Sequence, residues 1–240
     1  MKPRSSSLKV KPIRMLTPFF VLLPVLLPAA PADPSFQQAL AKMDEAAASF
    51  KALTANVEKI HYTKAIDEKE RTSGSVVVRR SSPKKLQVLF NITEPDPTQV
   101  AFSDHTVEWF HPKMALVDVY DLDKKLGAGV SRYMLLGFGS SSKDLAEAYT
   151  IGPGGPETVG GQKSTRIVLT PKKPDEVMHL KKVDLWISDE TGIAVQQKLY
   201  FGDADYDLAT YSNMKINPDI SESAVMLKLP KGVTRQHPQK

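Results

Sequence analysis

The chain has 240 residues, 32 lysines and arginines against 27 aspartates and glutamates, and no cysteine. Without cysteine there is no disulfide, no thiol nucleophile, no thiolate metal site and no N-terminal cysteine to carry a lipid. The formal charge of +5 does not point to nucleic acid, because Lys2, Arg4, Lys9, Lys11 and Arg14 all precede an apolar run, and without them 27 basic residues balance 27 acidic ones.

That run is Met15 to Leu27, broken by Pro18 and Pro24 and followed by Ala30-Pro31-Ala32. Basic, then apolar, then small is the order of a secretory signal peptide. Residues 1–32 are therefore expected to be cleaved, leaving 33–240 as one domain in the periplasm. A thirteen-residue run with two prolines falls short of the ~20 residues that a spanning helix needs.

From Phe36 to Leu53 the apolar positions Phe36, Leu40, Met43, Ala47 and Phe50 recur at helical spacing, so the sequence predicts an amphipathic helix with Ser35 at its start. Short strands follow at 57–66, 74–80, 86–92, 99–103, 106–111 and 115–121, joined by turn residues as in a meander. Leu86, Val88, Phe90 and Ile92 share one parity, as do Ala115, Val117 and Val119. Between Leu122 and Tyr149 the alternation stops. Leu126, Tyr133, Met134, Leu135, Leu136 and Phe138 are punctuated by Gly127, Gly129, Gly137 and Gly139, which predicts short helices on hinges. Ser141 with Asp144 is a capping box for a helix over 142–148.

After a loop at Gly152–Pro156, strands are expected at 166–170, 183–188, 193–201, 208–215 and 225–229, with a loose polar tail beyond Val233. The clearest element is the hairpin Val183–Phe201. Val183, Leu185 and Ile187 alternate with polar residues, Asp189-Glu190-Thr191-Gly192 makes the turn, and Ile193, Val195, Leu199 and Phe201 share a parity. One apolar and one largely polar face are expected of it.

Enzyme signatures are absent: no Gly-x-Ser-x-Gly elbow, no His-Glu-x-x-His, no phosphate loop and no dinucleotide fingerprint. His105 and His111 find no third ligand at metal spacing. Asp203, Asp205 and Asp207 open like a calcium loop, but the glycine and glutamate positions hold Leu208 and Met214, so an acidic turn is expected. No metal, cofactor or enzymatic activity is expected. Arg79 and Arg80 end a strand in which Val76 and Val78 alternate. An arginine at the rim of an apolar sheet has five donors with which to reach carbonyls of a covering helix; two solvated charges on a turn are the alternative.

Thr106-Val107-Glu108-Trp109-Phe110-His111-Pro112, Leu169-Thr170-Pro171-Lys172, Val183-Asp184-Leu185-Trp186-Ile187, Ile216-Asn217-Pro218 and Leu229-Pro230-Lys231-Gly232-Val233 occur in an order and spacing that resembles the LolA-type outer-membrane lipoprotein carriers. The resemblance implies a mainly β (α+β) fold, a curved, incomplete antiparallel β-barrel, here of about eleven strands, with an N-terminal helix and short lid helices over its concave face. It implies a monomeric periplasmic carrier that shields the acyl chains of lipoproteins or lipids. Its partners would be an inner-membrane lipoprotein-releasing ABC transporter and an outer-membrane acceptor. A lipid- or protein-sensing regulatory module of the same fold is the alternative.

In this reading Val76, Val78, Val88, Phe90, Val100, Trp109, Val117 and Val119 line the cavity, and Tyr133, Met134, Leu135, Leu136 and Phe138 form the lid. The family's latch arginine falls on Arg80, or on Arg79 in a shifted register, although Ser81 and Ser82 stand where the family has proline directly after the arginine. The reading requires room for an apolar passenger beneath Met134–Phe138.

Overall fold

The structure, a computed structural model, describes residues 34–82, 85–103, 105–122, 136–173 and 179–238. Residues 1–32, expected to be an export segment, and Tyr133, Met134 and Leu135 lie outside the described residues.

Among the described residues twelve strands form one open, curved sheet. In chain order they are β1 (Ala52–Thr63), β2 (Glu68–Ser82), β3 (Lys85–Glu94), β4 (Thr98–Phe102), β5 (Thr106–His111), β6 (Leu116–Asp121), β7 (Tyr149–Val159), β8 (Gln162–Pro171), β9 (Lys182–Ser188), β10 (Ala194–Tyr200), β11 (Tyr206–Ile216) and β12 (Thr234–Gln236). Across the sheet the order is β12-β6-β5-β4-β3-β2-β1-β11-β10-β9-β8-β7, antiparallel everywhere except where β12 joins β6. The edges do not meet, so the expected incomplete barrel is observed.

Two strands differ from expectation. β7 runs through Gly152-Pro153-Gly154-Gly155-Pro156, read above as a loop. It is the edge strand, where proline is tolerated because no neighbour asks for its missing N–H. Conversely, 225–229 is not a strand. A 3₁₀ turn, Glu222–Val225, leads into an irregular segment that lays Leu227, Leu229 and Val233 on Phe110, Val117 and Val119. The tail after Val233 then pairs with β6 as β12.

Helix α1 (Pro34–Ser49) ends four residues sooner than its periodicity suggested, because Ala52 and Leu53 already belong to β1. Asn217 makes the junction: its Oδ1 accepts from the Lys51 and Ala52 amides at 2.7 and 3.3 Å, and its Nδ2 donates to Ser49 O at 3.0 Å. The apolar stripe of α1 packs on the concave side of β7–β10, where Ala39 and Met43 join Ile167, Leu169, Val183, Leu185 and Ile187. Approach is close at the β9–β10 turn, where a Cβ on Gly192 would lie 2.2 Å from Lys42 O. Helix α2 (Ser142–Ala148) has the predicted capping box, and Leu145 anchors it to the same cluster. Among the described residues no helix is long and apolar enough to cross a membrane.

Candidate functional site: the concave face and its turn

The concave face carries two apolar clusters side by side. One lies under α1 and α2; the other contains Phe50, Leu53, Val76, Val78, Val88 and Phe102. The turn Leu136–Gly139 sits on the seam. Leu136 is fully buried in the first cluster, and Phe138 is buried in the second, with its ring edge-on to Tyr211 at 4.8 Å. These two side chains pack beneath the described part of the turn, while the room expected beneath Met134 and Leu135 lies outside the described residues.

Three carbonyls of the turn are held by the sheet. Gln197 Nε2 donates to Leu136 O, the Ala194 amide donates to Gly137 O at 3.0 Å, and Arg80 Nη2 donates to Gly139 O at 2.5 Å. Arg80 Nη1 also donates to Ala47 O of α1 at 3.1 Å, and its guanidinium stacks 5.2 Å from the Phe50 ring centroid. One side chain on β2 thus ties the end of α1 to the turn. Burial pushes the Arg80 guanidinium down from its ordinary value, Asp144 partly offsets this, and its buried Nε has no hydrogen-bond partner among the described residues. Arg79 points to the outer face and donates to Gln87 Oε1 at 2.8 Å.

Glycine is needed at two positions of the turn. Gly137 and Gly139 have φ of +81° and +71°, and a Cβ would lie 2.4 Å from Ala194 Cβ and 2.6 Å from Arg80 Nη2, respectively. The turn is also tied at its downstream end. Asp44 of α1 accepts from the Ser142 amide and hydroxyl at 2.6 and 2.8 Å. The Ser141 hydroxyl bond holds the Asp144 carboxyl below its ordinary value.

Six of the eight residues expected in the cavity share the concave face. Val76, Phe90, Val100 and Trp109 are successive cross-strand partners on β2–β5, and Val78 pairs with Val88 in the adjoining row. Along the first row burial falls from Val76, 1% exposed, to Trp109, 41% exposed. Val117 and Val119 do not belong to this face. They pair with Phe110 and Glu108 on the outer side, under Leu227, Leu229 and Val233. Alternation marks two faces without saying which is inner, and at β5–β6 the C-terminal segment makes the outer one apolar too.

The β9–β10 hairpin has an apolar inner face as expected, but its outer face is also buried. Asp184 is 0% exposed, accepting from Tyr200 Oη at 3.0 Å and from Arg166 Nη1 at 3.4 Å. A register shift between Ala194 and Gln196 turns Ala194 and Gln197 inward. Gln197 was missed as a site residue, although a polar residue on the apolar parity of a strand asks for a hydrogen-bond partner. Asp44 and Asn217 were missed as well; only the Asn217-Pro218 pair after a strand was a signal. The groove of about 470 Å³ lined by Asn56, Glu58, Ser73, Ser75, Thr93 and Ser212 is open and polar, unlike the concave face. Among the described residues no group of three or more acids or histidines is placed to hold a metal.

No family model and no curated protein sequence matches the chain. Solved structures do. MucB matches with a TM-score of 0.51 at 12% identity, over 82% of this chain and 64% of that one, so the chain spans under two thirds of MucB. MucB is also solved in complex with MucA(peri). An uncharacterised conserved protein from Thermus thermophilus matches with a TM-score of 0.51 at 10% identity, over 84% and 98% of the two chains. A LolA superfamily protein from Nitrosomonas europaea matches with a TM-score of 0.40 at 14% identity, over 81% and 99%. The likeness to the first two is one of fold.

Proposed function

We propose that the protein is an exported, periplasmic carrier. It would shield the acyl chains of lipids or lipoproteins against the concave face and pass them from an inner-membrane donor to an outer-membrane acceptor. The observation that carries this reading is the row Val76, Phe90, Val100, Trp109, buried at one end and open to solvent at the other. Such a row gives a hydrocarbon chain a continuous path out of water.

Magnitudes favour exchange with the turn. Lifting Leu136 and Phe138 into water costs about 1.5–3 kcal/mol each, while each methylene buried returns about 0.8 kcal/mol. An acyl chain of roughly six methylenes therefore balances the displaced side chains, and a longer one leaves a surplus. The bonds from Gln197, Ala194 and Arg80 add a similar amount, about 1 kcal/mol each for the first two and about 1.5–3 for the charged donor, so a chain of about eleven methylenes offsets the whole exchange. Arg80 is the latch in this reading, since it is the side chain that joins α1 to the turn; Arg79 has no part in it.

The test is titration of the mature protein with a fatty acid carrying an environment-sensitive fluorophore. Saturable binding, a blue shift and displacement by a lysophospholipid are expected. Emission that rises linearly without saturation contradicts the reading.

The fold likeness to MucB favours one second reading, a regulatory module in which the same face takes a lipid signal or a protein segment. A peptide that competes with the acyl probe, in a protein that never passes the probe to acceptor vesicles, distinguishes it from a carrier.

A further inference from the structure

The apolar row of the concave face does not stop at Trp109. Its next cross-strand partners are Asp118 on β6 and Gln236 on β12, so Val76, Phe90, Val100 and Trp109 lead to a carboxylate. His111, two residues along β5 on the same face, sets its ring 4.7 Å from that of Trp109 and donates through Nε2 to Asp118 Oδ2 at 3.1 Å. Gln236 Nε2 donates to Asp118 Oδ1 at 2.6 Å. An exposed indole and a fixed carboxylate thus share the end at which the row opens to solvent.

The charge of this end is negative. Gln236 carries none, and an imidazole carries one only in acid. The neighbouring cations are matched by acids of their own: Arg235, turned to the outer face, by Glu108, and Lys113, in the turn Pro112–Met114, by Asp96. Among the described residues Asp118 has no ion pair with a lysine or an arginine. Its side chain is 14% exposed, a setting in which a charge acts more strongly than in open water. An aromatic face beside a carboxylate favours an ammonium group, which is drawn by the ring quadrupole and by the opposite charge.

We propose that this end receives the ammonium of a phospholipid headgroup, as in a phosphatidylethanolamine whose acyl chain lies along the row and whose phosphate stays in water. The inference rests on the carrier reading and adds a headgroup preference to it. Phosphatidylglycerol brings an anion and no ammonium, and is disfavoured beside Asp118. The contact with the Trp109 ring and the attraction of Asp118 together amount to a preference of about fivefold to tenfold.

The test is displacement of the acyl fluorophore from the mature protein at pH 8 by lysophosphatidylethanolamine and by lysophosphatidylglycerol of the same chain length, both below their micelle concentrations. The first is expected to compete about fivefold to tenfold better. Asp118→Asn should bring the two within about twofold of each other while the probe still binds, and Trp109→Leu should narrow the gap about threefold. A merely structural role for these residues would weaken both lipids alike and leave their ratio unchanged, which would overturn the proposal. So would equal competition in the wild type; with the probe still saturating, that result removes the headgroup preference and leaves the carrier standing. A probe that never saturates removes both. A palmitoylated lysine peptide that competes better than lysophosphatidylethanolamine would also overturn the proposal, by making the ammonium that of a protein.

Discussion

At Arg80 one side chain is asked to do two jobs with different consequences. It bonds to Ala47 O and Gly139 O, and in the proposed function it also sets how readily the turn lifts. Arg80→Leu removes both bonds but keeps an apolar body against Phe50, so unfolding free energy should fall by only about 1–3 kcal/mol. Passage of an acyl probe to acceptor vesicles should change by about tenfold or more, because a latch difference of 1.4 kcal/mol is already tenfold in an equilibrium. Denaturant unfolding and a transfer assay on the same preparation decide it, and losses of equal size in both refute the latch. Gly139→Ala tests the turn from the other side. Its positive φ and the 2.6 Å approach to Arg80 and Phe50 leave no room for a Cβ, so the turn should be displaced. Amide exchange at 136–139 should speed up while that of β1 and β2 is unchanged. Gln197→Leu should cost about 1–3 kcal/mol in denaturant unfolding, as Leu136 O is left buried without its donor.

At the scale of elements, α2 should be the first to respond to acid. Asp144 titrates below its ordinary value because the Ser141 hydroxyl donates to it, so the folded protein holds that proton less tightly than the unfolded chain. Its contribution is complete above the ordinary value of 3.8 and is lost as pH falls through the lower folded value. Exchange of the α2 amides should rise in that window, and Asp144→Asn should abolish the dependence. The capping box behind this was legible, because Ser141 and Asp144 are adjacent in the chain and the chemistry is local. The partner that fixes α2 to α1, Asp44, lies 98 residues away from Ser142 and left no local sign. β7 was hidden for a related reason. Two prolines and three glycines read as a loop until the strand is known to be an edge. Val117 and Val119 were on a correctly read alternation but on the wrong side of it, since the segment that covers them comes from beyond residue 226.

For the molecule as a whole, the bent sheet was legible because its alternation is regular over most strands, and Arg80 was read as a holder of the turn, whereas the rest of the turn's closure was not. That closure depends on three donors from β2 and β10 meeting one turn, a convergence set by tertiary geometry. In the proposed function this face covers its two apolar clusters with Leu136 and Phe138 and exchanges those side chains for a hydrocarbon chain. Trp109, at the open end of the row, is a built-in reporter; the chain's other tryptophan, Trp186, is buried on the outer face. The most direct measurement is native mass spectrometry of the protein purified gently from cells that express the full chain. A population carrying the mass of a phospholipid or an acylated peptide, lost when the acyl probe is added in excess, is the predicted result. Bare polypeptide alone, in the wild type and in Arg80→Leu alike, would contradict the account.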